Sequence, residues 1–178
     1  VRVFVGSTGA SGQVYTARLL EILTSKGVEV EFTATDNATK VMKREGVEPP
    51  DDVRVYDPED ITAPPASGTH RIDAYVVCPC TLNTMACIAH GIGNDLVKRA
   101  ALVALKEGRT LIVVPRETPW PRQAFEAALR LIDSGAVVLP ASPAFYHRPE
   151  TVEDVVDYVV QKILDAIGVD VDLVRYRG

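Results

Sequence analysis

The chain has 178 residues and a formal net charge of −5 at pH 7. That length suits one compact domain, and the acidic balance speaks against a nucleic-acid binder, which would present a basic face. No apolar stretch approaches membrane-spanning length, and the chain opens straight into a strand pattern without a signal-peptide signature, so a cytoplasmic protein with no nucleic-acid or membrane partner is expected.

Strand and helix patterns alternate along the chain. Val1 to Val5 reads as a strand, followed by the glycine turn GSTGASG over 6–12 and a helix from Val14 to Lys26 that Gly27 ends. Val28 to Thr35 is a second strand, with Asp36 or Asn37 as the cap of a helix to about Glu45. Val53 to Tyr56 is a short strand, and Glu48–Pro50 and APPASG (63–68) are loops by composition. Asp73 to Cys78 is a buried strand leading to a helix from Thr81 to His90, and a further helix covers Asn94 to Glu107. Thr110 to Val114 is continuously apolar, as parallel sheets require. Pro121 to Ser134 is helical, Ala136 to Leu139 is the last strand, and Thr151 caps a final helix to Ile167, with Asp154 at its third position as a relative of the capping box. Cys78, Cys80 and Cys87 are odd in number and clustered, which fits a reducing compartment better than a disulfide framework. With His70, His90 and His147 they show no metal-ligand spacing.

Repeated βα units imply an α/β fold: one doubly wound, Rossmann- or flavodoxin-like parallel sheet with helices on both faces, over residues 1–178, with an irregular tail at 169–178. Ligands in such sheets bind beyond the carboxyl ends of the strands, where strand order reverses. GSTGASG falls there and exposes N–H groups at a helix start, with Ser11 and Thr8 as hydroxyl donors; it reads as a phosphate cradle, against glycines placed for steric reasons alone. Its spacing matches neither the dinucleotide fingerprint nor the P-loop, although Asp36 after the second strand suits a ribose. CPCTLNT sets Thr81, Asn83 and Thr84 at another helix start, either as a second polar cradle or as plain capping by Thr81. PRETP places Arg116 beside Glu117. This is either a cation for a phosphate or flavin oxygen with a proton-transferring carboxylate, or a local salt bridge. PAFYHRP offers Tyr146 as a phosphate donor or ring partner, or as a loop anchor, and His147 beside it reads as structural.

Taken together, TGASG (8–12), APPASG (63–68), CPCT (78–81), RAALVALKEGR (99–109), VPRETP (114–119) and PAFYHRPETVEDVVDYVVQKIL (143–164) resemble the UbiX/Pad-type flavin prenyltransferases, of the flavin-containing decarboxylase-like fold, in order and over nearly the whole chain. The resemblance implies metal-independent transfer of a dimethylallyl group from dimethylallyl monophosphate to reduced FMN. The product, prenylated FMN, serves a UbiD-type decarboxylase. It implies that Gly9, Ala10 and Ser11 contact FMN, with Ser11 near N5; that Thr35, Thr81 and Thr84 hold its polar arm; and that Arg116 meets flavin and substrate phosphate. Glu117 is implied to share a proton relay with Ser11. Arg99, Lys106, Tyr146 and Lys162 are implied to take the leaving phosphate, with Ser67 and Gly68 lining the same cavity. Glu45 matches a catalytic carboxylate contributed by a neighbouring subunit of a homo-oligomer, a trimer-based dodecamer. The chain departs from the family at Ile61, where a tryptophan is usual, and at Lys162, where arginine is usual and offers a fork rather than a point charge. Trp120 stands where a smaller apolar residue is common and is a candidate replacement for the missing aromatic wall.

Two other readings of the same fold compete. A flavin-dependent cysteine decarboxylase needs a histidine after the first helix, and this chain has none before His70. A non-catalytic FMN carrier would keep the cradle without needing Glu117 or Tyr146.

Overall fold

The structure, a computed structural model, describes residues 1–174. It runs β1 (Arg2–Ser7), α1 (Gln13–Ser25), β2 (Glu29–Ala34), α2 (Asp36–Glu45), β3 (Arg54–Val55), a 3-10 turn (Pro64–Ala66), β4 (Ala74–Cys80), α3 (Leu82–Ala89), α4 (Leu96–Lys106), β5 (Thr110–Pro115), α5 (Arg122–Asp133), β6 (Val137–Val138) and α6 (Val152–Ile167). All six strands form one parallel sheet in the order β3-β2-β1-β4-β5-β6, so strand order reverses between β1 and β4. This is the doubly wound fold expected.

The central strands are buried on both faces, which is why they read as unbroken apolar runs. From β1, Val3 and Val5 join Leu19, Leu23, Val159 and Ile163 in one core, under α1 and α6. Phe4 between them joins Val97, Ala101 and Leu131 in the other, under α4 and α5. Each fully buried leucine or isoleucine contributes about 1.5–3 kcal/mol.

Several boundaries differ from the sequence reading. Thr35 caps α2, its hydroxyl oxygen accepting the Ala38 N–H, so Asp36 and Asn37 are the first helical residues. Asp95, not Asn94, opens α4. β4 continues through Pro79 to Cys80, and β6 shrinks to two residues. Thr151 and Asp154 form a full capping box. The described part of the tail is irregular but anchored: Val169 and Val171 enter the α1–α6 core, and the Leu173 N–H donates to Gln161 Oε1 at 2.8 Å. Residues 175–178 of the expected tail lie outside the described residues.

Candidate active site

The first turn is set by hydrogen bonds that its sequence does not advertise. Thr8 is buried, and its hydroxyl donates to the Pro79 carbonyl at 2.9 Å and accepts the Thr81 N–H at 2.8 Å. It therefore stitches β1 to β4 at the reversal point and is not available as a ligand donor, contrary to the sequence reading. Gln13, fully buried, clamps the turn from inside: its amide donates to the Thr8 and Ala10 carbonyls, both at 2.8 Å, and accepts from Ser7 Oγ at 2.7 Å. Nothing in the one-dimensional pattern singled out Gln13. Ser11 stays exposed at the tip.

The N-terminus of α1 is already occupied. The Glu45 carboxylate, at the end of α2, accepts the Gly12 N–H at 3.0 Å and the Gln13 N–H at 2.7 Å. The expectation that these amides cradle a phosphate is thereby corrected, because a carboxylate of the same chain fills the place where the helix field favours an anion. The resemblance assigned Glu45 to a neighbouring subunit's site; in this chain it is bound in cis.

The anion-friendly end lies on the other side of the turn. A cavity of about 530 Å³ is lined by Thr8, Gly9, Thr35, Lys40, Arg44, Thr81, Thr84 and Lys98, among others. Gly9 is required there, since a Cβ would come within 2.7 Å of Asn37 Cβ on α2. Thr81 caps α3: its hydroxyl accepts the Thr84 N–H at 3.1 Å and donates to Thr84 Oγ1 at 2.9 Å. The hydroxyl protons of Thr35 and Thr84 have no acceptor among the described residues and can serve a ligand. Capping and cradle are therefore one arrangement. Three cations, one carboxylate (Asp95) and two helix N-termini around a cavity of this size fit the phosphate and polyol arm of FMN.

Arg116 and Glu117 follow β5 at the same carboxyl end of the sheet. Arg116 lies beside the first turn, its Cγ 3.7 Å from where a Cβ on Gly12 would stand, and its buried Nε has no hydrogen-bond partner. It forms no ion pair with Glu117 among the described residues, so the local salt bridge is not formed. An orphaned guanidinium N–H beside the turn is the kind of group that a flavin oxygen would satisfy. Glu117 is exposed and accepts the Thr118 N–H at 3.0 Å; no hydrogen bond joins it to Ser11. Trp120 packs on Phe125, ring centroids 5.3 Å apart, and the two line a second hollow of about 480 Å³ with Arg116 and Glu117.

Tyr146 meets Tyr158 edge-on at 6.1 Å, and its hydrogen bond with that neighbour raises its phenol pKa while the nearby Lys162 pulls the other way. Tyr146 and Lys162 are thus brought together. His147 stacks on Tyr158 at 5.9 Å and faces the Asp154 carbonyl at 3.2 Å, a structural post as expected.

The remaining predicted residues lie elsewhere. The segment before β4 runs down the flank of α4. The Leu96 N–H bonds the Pro58 carbonyl at one end, and at the other Gly68 sits against the Lys106–Glu107 ion pair, with Arg109 donating to its carbonyl at 2.7 Å. Ser67, Gly68 and Lys106 therefore lie at the amino end of β5, whereas Arg116 follows its carboxyl end. Six strand residues separate them, about 20 Å. Arg99 is exposed on the same α4, and Ile61 is exposed on the flanking segment. Within one chain, Ser67 and Gly68 stay with Lys106 and do not share a cavity with Arg116.

Fold and site together define a flavin-binding α/β protein with two spatially separate groups of anion-handling residues. A family model described as Flavoprotein matches residues 1–164. The flavin prenyltransferase UbiX of Pseudomonas aeruginosa is 41% identical, covering 99% of this chain and 94% of its own. A crystal structure of AnUbiX in complex with FMN and dimethylallyl pyrophosphate superposes with a TM-score of 0.95 at 34% identity, covering 99% and 97% of the two chains. A dodecameric FMN-dependent UbiX-like decarboxylase from Escherichia coli gives 0.95 at 37% identity, covering 100% of each. The chain belongs to the flavoprotein family and, within it, to the UbiX-type flavin prenyltransferases.

Proposed function

We propose that this chain transfers a dimethylallyl group from dimethylallyl monophosphate to reduced FMN, without a metal, and that the prenylated flavin passes to a UbiD-type decarboxylase. The observation that carries the reading is the cavity at the strand reversal, with threonine hydroxyls along its wall, together with Arg116 beside the first turn, whose buried Nε has no partner among the described residues.

Bound in reduced form, FMN supplies a nucleophilic N5 and the neighbouring ring carbon 6. Thr35, Thr81 and Thr84 hold its polar arm, Gly9 and Ala10 admit it closely, and Arg116 orients its ring edge. Glu45 fixes the amides after Ser11 and so sets where that hydroxyl points. Ser11 and Glu117 handle the proton lost as the new bond forms, Glu117 as acceptor and Ser11 as the relaying hydroxyl. Cleavage of the allylic C–O bond leaves charge on a phosphate, which Arg116, Tyr146 and Lys162 neutralise as it develops. Arg99, Lys106, Ser67 and Gly68 reach the same phosphate from the α4 flank of a second copy, so the working site belongs to a homo-oligomer, a trimer-based dodecamer. The free cysteines suit the reducing cytoplasm. No helix among the described residues is long and apolar enough to cross a membrane.

The test is anaerobic incubation with reduced FMN and dimethylallyl monophosphate, followed by mass analysis of the extracted flavin. A gain of one C5 unit is expected. Bound but unmodified FMN would make the chain a carrier, and release of CO2 from a cysteinyl substrate would make it a decarboxylase.

A further inference from the structure

Lys98 is the buried cation of the flavin cavity, and neither its capping neighbour nor its helix accounts for it. Its side chain is 11% exposed, yet Asp95 Oδ2 at 2.6 Å is its one partner among the described residues. An ammonium carries three donors, so two N–H groups have no protein acceptor among the described residues and are left for a ligand in the cavity. Asp95 is committed elsewhere as well: its other oxygen accepts the Lys98 backbone N–H at 2.9 Å and so caps α4. Lining the same cavity are Thr35, Thr81 and Thr84, and Lys40 and Arg44, exposed residues of α2. Asp95 is the only acidic residue in that lining, against Lys40, Arg44 and Lys98. A salt bridge made for stability alone would gain nothing from sitting beside an unfilled donor set, because burial of the two charges offsets their attraction.

We infer that Lys98 recognises the phosphate of FMN from inside the cavity, with Asp95 as its counterion until that phosphate arrives. The inference rests on the flavin reading above and deepens it: Lys98 sets the preference for the phosphorylated flavin over riboflavin, which offers the same ring and polyol but no anion. The phosphate ester of the prenyl donor shares this chemistry. The threonine cradle beside Lys98 assigns the residue to the cofactor.

Titrating oxidised FMN and riboflavin by flavin fluorescence, against wild type, Lys98→Met and Asp95→Asn, separates the outcomes. Lys98→Met keeps the length of the side chain and removes the charge. It should raise the Kd for FMN about tenfold or more, the loss expected for one charge-assisted contact, while changing the Kd for riboflavin less than about twofold. Asp95→Asn leaves an oxygen to cap α4 and releases the ammonium, so it should tighten FMN and leave riboflavin alone. Equal weakening of both flavins by Lys98→Met would make Lys98 a structural residue and overturn the inference. So would an unchanged FMN-to-riboflavin ratio, or a loss seen only in binding of the prenyl donor. A wild-type protein that binds neither flavin would instead overturn the reading on which the inference stands.

Discussion

The Glu45 carboxylate accepts the Gln13 N–H at 2.7 Å, which ties the last turn of α2 to the first turn of α1. The chain thereby neutralises one helix N-terminus with its own acid and leaves the N-termini of α2 and α3 to face the cavity. The first turn becomes a fixed rim. Its shape is then dictated by Gln13, which is bound through its backbone to Glu45 and through its side chain to three groups of the turn.

Gln13→Leu should therefore cost more than an ordinary core change. The apolar side chain leaves the Ala10 carbonyl and the Ser7 hydroxyl buried without a partner and removes one of the two donors to the Thr8 carbonyl, a loss of about 2–4 kcal/mol. Urea denaturation should show the midpoint falling accordingly, and FMN affinity should fall with it. A midpoint equal to wild type would mean that the clamp is not what holds the turn.

Gly9→Ala tests the close approach of the turn to α2. The added methyl meets Asn37 Cβ at 2.7 Å, so the turn must move away and the cavity mouth must change shape. Flavin titration should show weakened FMN binding, and Asn37→Gly in the same chain should restore part of it by removing the opposing carbon. Absence of any rescue would place the defect elsewhere.

Asp154 gives the molecule an acid-side dependence that can be isolated. The Glu150 and Thr151 N–H groups, with the Thr151 side chain, hold its carboxyl below the usual range. A depressed folded-state pKa means that the unfolded chain binds the proton more readily. The stabilisation is then complete above the unfolded carboxylate value near 4 and is lost as pH falls through the folded one. Thermal melts between about pH 6 and pH 3 should fall less steeply for Asp154→Asn than for wild type; parallel curves would contradict this.

Burial pushes the Cys78 thiol up to about 12 and raises Cys80 in the same way. Both are buried in the sheet, whereas Cys87 on α3 is half-buried. A thiol reagent at neutral pH should therefore modify Cys87 alone in the folded protein and all three cysteines after denaturation, counted by mass. Rapid native labelling of Cys78 or Cys80 would mean that the β4 end opens.

Much of this was legible in the sequence. β1, β4 and β5 are buried on both faces and had to be apolar throughout, so their residues announced them. The cap of α2 was misplaced because Thr35, Asp36 and Asn37 all have capping oxygens and only backbone angles choose among them. The edge strands β3 and β6 are too short to show a period. Glu45 on α1 and Thr8 on Pro79 are contacts distant in sequence, and no local pattern encodes them. The division of the site into two groups does have a sequence signal: Lys106 precedes β5 and Arg116 follows it, so the strand carries them to opposite ends.

Subunit mixing shows whether the two groups meet across chains. Arg116→Ala disables the first-turn rim and Lys106→Ala the α4 flank, and each variant alone should lose flavin prenylation while remaining folded. Co-expressed in one mixed oligomer, the two should recover a measurable share of wild-type activity, because some sites then combine an intact rim from one copy with an intact flank from another. Mixed oligomers no more active than the parent variants would mean that each chain works with its own Lys106, against the geometry described.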